Sequence, residues 1–546
     1  MWSSITHRHW SRAIAITIAL LLLAPSALGS ARACEWTDET QIALLPGGEV
    51  SGIMASDSWV VWTEKARPGE PEDYRWNIRT FNLDDMTVGT VATDVQNTGP
   101  ALSRSIDNSL LAWIEPEHDG ALQTLDLSTG ERVLVTKGVY RWPSPSVSGS
   151  TVAWHQVADN GEHQIVARDL EGTVGPVVLD ARLGPEIAGA FPPLYSPTVS
   201  GDIVVWLGRD DVSRRSTSIM YANLQTGEQG VVEENIDADG GFDFANGLIA
   251  YGTPGDFEAG TTGTITMIDL HTWEWQTIDA SVAFHEGGFP IETDGRFVLW
   301  VNERGHTYGY DRLLDSMFVV PVNRFSITVD DGILTWLRPQ GDDMPVELHR
   351  ASAEDFSTGR RSRYFPATDR WVALDALKLW DAGGGLPVFG YPITYDGVWL
   401  ERARIEWHPE FDGTPYETLL GRLGWELAER QGLLDADPFR YRTDQEGPDA
   451  GCLYIGETGH YICDAFRFTW ESYGLDLGDP GISWRESVAL FGYPISEPFM
   501  TTNADGDEVY SQFFERAVFE IHPDDPFPYR VQLRRLGAEM KDQYDW

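Results

Sequence analysis

The sequence predicts a mainly β protein: a seven-bladed β-propeller followed by an α+β domain built from a tandem repeat. Two observations lead to this prediction. An apolar run that ends on an aromatic residue recurs seven times at intervals of roughly 36 to 52 residues, and the last third of the chain aligns with itself. Repeats of the first size are typical of arrays of supersecondary units, and they divide the chain before any chemistry is considered.

Residues 1–33 have the composition of a secretory signal peptide. A basic start precedes the apolar run Ala13–Ala24, and Ala31-Arg32-Ala33 gives the small-x-small cleavage pattern. The run is too short to span a bilayer, so we expect an exported chain with no membrane-spanning segment after cleavage. Lipidation of Cys34 is an alternative, although Ala31 stands where the bacterial lipoprotein signal has leucine.

The predicted propeller covers residues 36–353. Its seven apolar runs are Trp59–Trp62, Leu110–Trp113, Thr151–Trp154, Ile203–Trp206, Leu248–Tyr251, Phe297–Trp300 and Ile333–Trp336. Each run is too continuous for a half-exposed strand, which predicts a strand buried on both faces. A turn signal such as Asn246-Gly247 precedes each run and two alternating strands follow it, so the unit is a four-stranded antiparallel meander.

The count of strands predicts how the ring closes. The last unit has room for three strands only, and Gln41–Leu45 precedes the first unit as an orphan strand. We expect Gln41–Leu45 to pair beside Val346–His349 and complete the seventh blade. The short turns at Asp126–Glu131 and Asn223–Glu228 resemble those of the TolB-like and WD40-like propellers, a resemblance that implies a fold and no function.

The net charge and the absence of catalytic sequence motifs exclude several classes of function. The 84 acidic residues outnumber the 40 basic ones and give a net charge of -44, which repels nucleic acid and anionic lipid. Residues 328–332 come near the sialidase Asp-box with the spacing one residue off, which favours a simple turn. No Gly-x-Ser-x-Gly elbow and no His-Glu-x-x-His zinc motif occurs, so we expect a non-catalytic protein with no cofactor and no metal.

A polar linker, residues 354–363, is predicted before the tandem repeat. Repeat 1 covers residues 364–435 and repeat 2 covers residues 452–546. Helix-like stretches lie at Trp371–Trp380 and Tyr416–Gln431, and Val388–Thr394 aligns with Leu490–Ser496. The Phe-Gly-Tyr-Pro-Ile turn, followed by a Phe-Glu-Arg-Ala strand in repeat 2, loosely resembles the LGFP repeat of bacterial cell-wall-associated proteins, and this resemblance implies a wall- or glycan-binding role.

The aligned strands Trp399–Pro409 and Phe513–Pro523 carry the candidate ligand-binding residues. These are Glu401, Arg402, Glu406 and His408 in repeat 1 and Glu515, Arg516, Glu520 and His522 in repeat 2. On one interpretation each repeat presents a carboxylate, a guanidinium and an imidazole to a polar ligand such as a sugar. On the other, the first glutamate of each set pairs with a local arginine or backbone amides, because an unpaired buried charge is costly, and the rest is a solvated ladder.

Cys452 and Cys463 lie eleven residues apart in an otherwise nearly cysteine-free chain. In an oxidising compartment they predict a disulfide, since a zinc site would need more ligands than the nearby His460. Together these features favour a secreted or cell-surface binding protein, with cell-wall glycan or another extracellular protein as partner. The alternatives are a glycan hydrolase or lyase with carboxylates in the propeller channel, and a protein-interaction scaffold.

Overall fold

The structure is a computed structural model, and a defined part of the chain is described. The described residues are 41–45, 50–66, 75–96, 104–115, 120–139, 144–183, 194–209, 216–237, 241–253, 263–279, 291–301, 306–323, 327–339, 345–394, 397–408, 411, 414, 416–443, 451–526 and 529–541. The predicted signal peptide and Cys34 lie outside them. Within these ranges, no helix has both the length and the apolar character needed to cross a bilayer.

The described residues between 41 and 352 form seven four-stranded antiparallel sheets, which are the blades of a propeller. The strands of the first four blades are β2 (Val50–Ser56), β3 (Trp59–Lys65), β4 (Arg75–Asn82), β5 (Thr87–Gln96), β6 (Ile106–Asp107), β7 (Leu110–Glu115), β8 (Ala121–Asp126), β9 (Arg132–Thr136), β10 (Ser146–Ser148), β11 (Thr151–Val157), β12 (Glu162–Asp169), β13 (Val177–Leu183), β14 (Leu194–Ser200), β15 (Ile203–Gly208), β16 (Ser216–Asn223) and β17 (Gln229–Asp237). Those of the last three are β18 (Phe242–Ala245), β19 (Leu248–Thr253), β20 (Thr264–Asp269), β21 (Glu274–Asp279), β22 (Ile291–Thr293), β23 (Phe297–Val301), β24 (His306–Asp311), β25 (Ser316–Asn323), β26 (Ile327–Asp330), β27 (Ile333–Pro339), β28 (Val346–Ser352) and the first strand of the chain, β1 (Gln41–Leu45).

Each predicted apolar run lies in the second strand of its blade. The six tryptophans that end these runs are at most 2% exposed, and Tyr251 is 6% exposed. From its second residue on, each run is buried, which explains why it does not alternate with polar residues. The prediction of a four-stranded meander with a fully buried second strand is confirmed.

The ring is closed by the first strand of the chain. Strand β1 pairs antiparallel with β28, with Leu45 opposite Val346 and Gln41 opposite His349. The first strands of successive blades contact one another in order, and β26 of the last blade contacts β2 of the first. The expected pairing of Gln41–Leu45 is therefore present, and the blades form one closed circle of seven.

Polar side chains join neighbouring blades at the turns that the sequence marks. The last residue of a first strand accepts a hydrogen bond from a backbone N–H in the next blade's turn, as in Ser56 Oγ with Asn108 (3.0 Å), Asp107 Oδ2 with Gly149 (2.5 Å), Ser148 Oγ with Gly201 (3.0 Å) and Ser200 Oγ with Asn246 (2.8 Å). Ala245 has no oxygen to offer, and there Asn246 Nδ2 donates to the Asp294 carbonyl at 2.8 Å instead. The serine and aspartate residues before each turn thus bond the turn of one blade to the first strand of the blade before it.

The segment between the propeller and the C-terminal domain is packed and is not an extended linker. Helix α1 (Ala353–Ser357) lies inside the stretch predicted as a linker, and its Phe356 is 1% exposed against Phe297 and Trp336. Strand β29 (Ser362–Phe365) then runs beside β25, and Trp371 packs against Trp300 and Tyr308 of the sixth blade. Residues 354–363 are therefore packed onto the propeller.

The two repeats share an order of elements, except that repeat 2 has two additional strands after its second helix. Repeat 1 contains β29, β30 (Arg370–Ala373), α2 (Leu374–Ala382), α3 (Gly385–Phe389), β31 (Ile405–Trp407), β32 (Thr418–Leu420) and α4 (Leu423–Arg430). A 3₁₀ turn (Asp437–Phe439) leads to repeat 2, which contains β33 (Leu453–Ile455), β34 (His460–Ile462), α5 (Asp464–Ser472), α6 (Trp484–Phe491), β35 (Phe499–Thr502), β36 (Glu508–Phe513), β37 (Val518–Ile521), β38 (Val531–Leu533) and α7 (Leu536–Lys541). One apolar core holds residues of both, including Phe389, Leu400, Phe491 and Phe514, so the repeats form a single unit.

Candidate functional site

Four of the eight predicted site residues hold the two repeats together. Glu401 Oε2 accepts a hydrogen bond from the backbone N–H of Tyr391, and Glu515 Oε2 accepts one from Tyr493, both at 3.1 Å. These are the local amide partners that the second interpretation of the sequence requires. Each of these carboxylates therefore bonds the Phe-Gly-Tyr-Pro turn of its own repeat, and Glu515 Oε1 also accepts a hydrogen bond from Arg422 Nη2 of repeat 1 at 3.1 Å.

The neighbouring arginines reach into the opposite repeat. Arg402 Nε donates to the Leu533 carbonyl at 3.0 Å, and Arg516 Nη1 donates to the Leu420 carbonyl. Burial lowers the pKa of both guanidinium groups. Each arginine therefore links the turn of one repeat to the last strand of the other.

Two glycines allow the repeats to approach each other closely. A Cβ built on Gly424 would lie 2.0 Å from the Phe514 carbonyl oxygen, and one on Gly537 would lie 1.9 Å from that of Leu400. The next residue of each helix donates its backbone N–H across the same contact at 3.0 Å, from Trp425 to Glu515 and from Ala538 to Glu401. The contact is reciprocal, which makes the repeat pair pseudo-symmetric.

In repeat 1 the other two candidates, Glu406 and His408, lie beside the partly buried Arg404. Arg404 Nε donates to Glu406 Oε1 at 2.9 Å, and its Nη2 donates to Glu426 Oε1 at 2.8 Å. Burial opposes the charge of Arg404, but its hydrogen bonds and its attraction to the two glutamates raise its pKa. His408 Nε2 lies 3.8 Å from Glu406 Oε2.

In repeat 2 the corresponding pair, Glu520 and His522, lines a cleft. His522 Nε2 lies 3.4 Å from Glu520 Oε2. Arg534 donates from Nε to Glu539 Oε1 at 2.7 Å and from Nη2 to Glu539 Oε2 at 2.9 Å. Burial raises the pKa of Glu520 against the opposing charges of Arg534 and His522.

The cleft is polar and contains charges of both signs. Its volume is about 290 Å³, and its walls come from the β35–β36 turn, β37, β38 and α7. Arg402, Arg534 and Arg535 line it together with Asp505, Glu520 and Glu539. We call this site the repeat 2 cleft. It brings together three of the eight predicted residues: Arg402, Glu520 and His522.

The two repeats differ in side chains at two places around these glutamate and histidine residues. In repeat 1, Arg404 bonds both glutamates, and repeat 2 has Val518 at the matching position. In repeat 2, Arg534 bonds Glu539, and repeat 1 has Gly421 at the matching position. The half-buried Trp425 stands where repeat 2 has the exposed Ala538. The smaller alanine side chain leaves room at the wall of the repeat 2 cleft.

Sequence reasoning did not identify Arg534 and Glu539. They come from a strand end and a helix that meet Glu520 only in the folded domain. The alignment of the repeats contains a signal for them. Both glutamates are shared by the two repeats, whereas the arginine is at position 404 in repeat 1 and at position 534 in repeat 2.

Across the described ranges, no group of three or more histidine, cysteine, aspartate or glutamate side chains is placed to hold a metal ion. Cys452 and Cys463 form a disulfide with an S–S distance of 2.00 Å, so that prediction is confirmed. The cross-link joins the start of β33 to the residue before α5 and fixes the edge of repeat 2.

The propeller channel holds a second cluster of charges. Arg104 precedes β6, and its guanidinium crosses to Asp243 in β18, with Nε to Oδ1 at 3.0 Å and a second bond from Nη2 to Oδ2. The backbone N–H of Thr293 donates to the same carboxylate at 2.8 Å. Glu292 lies next to this pair, and burial raises its pKa to about 7, assisted by the charge of Asp243.

No protein-family profile and no curated protein sequence matches the chain. Among solved structures, an oligogalacturonate lyase in complex with manganese is 13% identical with a TM-score of 0.38, and the match covers 57% of this chain and 91% of that one. The β-propeller domain of the Trilobed protease from Pyrococcus furiosus is 14% identical with a TM-score of 0.38, covering 57% and 98%. Pyrococcus horikoshii acylaminoacyl peptidase is 16% identical with a TM-score of 0.37, covering 61% and 57%. At such identities and TM-scores these matches carry no function to this chain.

Proposed function

We propose that this protein is a secreted or cell-surface bacterial binding protein without catalytic activity. The C-terminal repeats tether it to a cell-wall glycan, and the propeller offers a platform for a ligand or a second protein. The observation that supports the tether is the repeat 2 cleft, where Arg402, Glu520 and His522 line one polar concavity. The predicted signal peptide and the loose likeness to LGFP repeats support the location.

The residues of the cleft suit binding more than chemistry. The carboxylate of Glu539 is held by both nitrogens of one arginine edge, and that of Glu520 lies between an arginine and a histidine. Carboxylates paired in this way orient hydrogen-bond donors and acceptors for a ligand, as polar groups do in small-molecule sites. A polymer could therefore be held without any bond being broken.

The test is sedimentation of the full-length mature chain with purified peptidoglycan sacculi. We expect the protein to pellet with the sacculi and His522→Ala to reduce the pelleted fraction at least fivefold. His271→Ala, a change of an exposed histidine on the propeller, is the matched control and should leave pelleting unchanged. Equal pelleting of the wild type and the His522 variant would argue against the tether.

A second candidate function, a glycan hydrolase or lyase, is favoured by one observation in the channel. A carboxylate with a pKa of about 7 is suited to general acid–base catalysis near neutral pH, and Glu292 has this property beside Asp243. Turnover of a soluble polysaccharide that is lost on Glu292→Gln would support it. The absence of turnover across neutral and acidic polysaccharides would leave the binding function as the better proposal.

A further inference from the structure

One wall of the repeat 2 cleft contains a buried donor and a buried acceptor that face each other without bonding. Arg534 Nη1 and Glu520 Oε1 lie 3.9 Å apart, too far for a hydrogen bond. Neither atom has another hydrogen-bond partner within the described part of the chain. The residues are 5% and 4% exposed, so bulk water does not simply replace the missing bonds.

Repeat 1 has no such gap at the corresponding place. There Arg404 bonds both Glu406 and Glu426, because its side chain enters from the strand and reaches the two carboxylates together. In repeat 2, Arg534 enters from the far side and is held by Glu539, which leaves Glu520 beyond its reach. The open pair is therefore a property of repeat 2 and follows from the exchange of arginine positions.

A hydroxyl group matches the hydrogen-bonding chemistry of the open pair. One hydroxyl can accept a hydrogen bond from a guanidinium N–H and donate one to a carboxylate oxygen, and both bonds involve a charged partner. A carboxylate or phosphate of a ligand would instead be repelled by Glu520. An ammonium group would be repelled by Arg534.

The charge of the cleft also favours an uncharged ligand. Three arginines and three acidic residues line it, so their formal charges cancel. The protein as a whole carries a net charge of -44, which disfavours the approach of acidic polysaccharides. A neutral sugar is repelled neither by the charged groups of the cleft nor by the net charge of the protein.

We propose that the repeat 2 cleft binds a neutral sugar through a hydroxyl that bridges Arg534 Nη1 and Glu520 Oε1. The inference rests on the proposed tether function and names the ligand class for that site. His522 and Gln532 at the same cleft supply further polar groups for adjacent hydroxyls. Ala538 leaves the space that the sugar ring requires.

The experiment is titration calorimetry of the full-length mature chain with two soluble probes, chitotetraose and tetragalacturonate, which compare a neutral with an acidic oligosaccharide. We expect chitotetraose to bind at least tenfold more tightly than tetragalacturonate. Glu520→Gln should weaken chitotetraose at least tenfold, and Glu471→Gln, an exposed glutamate on α5, should not change it. Ala538→Trp provides a second test that keeps the buried charges, because repeat 1 already carries a tryptophan at the matching position.

The outcomes separate this inference from the tether. Pelleting with sacculi without chitotetraose binding would overturn the neutral-sugar site and leave the tether standing. Chitotetraose binding that Ala538→Trp does not reduce would also overturn the site. Chitotetraose binding that is lost in both cleft variants, in a chain that does not pellet with sacculi, would support the site and overturn the tether.

Discussion

Arg404 occupies the space that a side chain at Gly421 would need. A Cβ built on Gly421 would lie 2.8 Å from Arg404 Nη2 and 2.9 Å from Glu406 Oε1. Repeat 2 carries the opposite combination, Val518 with Arg534, around the same pair of glutamates. Each repeat thus places one arginine beside its two glutamates, from a different strand in each case. An arginine at both positions of one repeat would clash.

This relationship predicts strong coupling between positions 404 and 421. Gly421→Arg should destabilise the protein because two guanidinium groups would compete for one site, and Arg404→Val should destabilise it by leaving Glu406 and Glu426 without their cation. The double variant copies repeat 2 and should recover about 1–3 kcal/mol relative to the sum of the single changes. Urea unfolding of the four proteins measures the coupling, and additive effects would contradict it.

The reciprocal helix contact predicts a large effect from one methyl group. Gly537→Ala should destabilise the C-terminal repeats by about 3 kcal/mol or more, because its Cβ would lie 1.9 Å from the Leu400 carbonyl oxygen and the backbones would have to separate. Gly456→Ala is the matched control, since the nearest atom to its Cβ would be 3.9 Å away. Thermal unfolding followed by the circular dichroism of each variant distinguishes them, and similar midpoints would refute the close contact.

The ion pair between Arg104 and Asp243 predicts that the stability lost on replacing Arg104 depends on the charge of Asp243. Arg104→Leu leaves the carboxylate of Asp243, which is 3% exposed, without its cation and should cost about 3–5 kcal/mol. Adding Asp243→Asn should restore more than half of the loss, because the amide oxygen still accepts from Thr293 and the buried charge is gone. Denaturant unfolding of the single and double variants provides the measurement. A double variant less stable than Arg104→Leu would contradict the pairing.

Glu292 predicts a definite sign of pH dependence. Its pKa is raised in the folded state from 4.5 to about 7, so the folded protein binds the proton more tightly and loses stability as pH rises through that window. Glu292→Gln removes this loss. The variant should match the wild type near about pH 4 and be more stable by up to about 3 kcal/mol near about pH 8. Urea unfolding at both pH values checks this, and a stability difference that does not change with pH would refute it.

The propeller could be predicted from sequence because its signal is local. Continuous burial of a run such as Ile203–Trp206 and a turn before it are properties of a few adjacent residues. Their repetition then gave the number of blades, and the leftover strand Gln41–Leu45 gave the closure. The channel contacts of Arg104 could not be predicted in this way, because its partner Asp243 lies three blades further along the ring.

Element boundaries in the C-terminal repeats show where local signals fail. The helix-like stretch Trp371–Trp380 begins as strand β30, because Trp371 packs against the sixth blade, and the helix proper is Leu374–Ala382. Similarly, Tyr416–Gln431 contains the strand Thr418–Leu420 before its helix, since that strand pairs with β31. Tertiary contact overrides helical propensity in both cases.

The candidate site was only half visible in the sequence. The internal alignment identified Arg402, Glu520 and His522 by their places in a repeated strand. It did not reveal that Glu401, Glu515 and Arg516 serve the contact between the repeats, because reciprocal packing of two copies leaves the same repeated pattern as a repeated binding site would.

Strand β1 also determines how the molecule is oriented at any surface that holds its amino terminus. Gln41–Leu45 is the outer strand of the seventh blade. A chain anchored just before this strand would therefore be attached through the seventh blade and not through the first. The same blade passes directly into helix α1, so attachment through the repeats would pull from nearly the same place. In the closed ring the first and sixth blades adjoin the seventh, so anchoring at both ends would leave the third and fourth blades farthest from the surface.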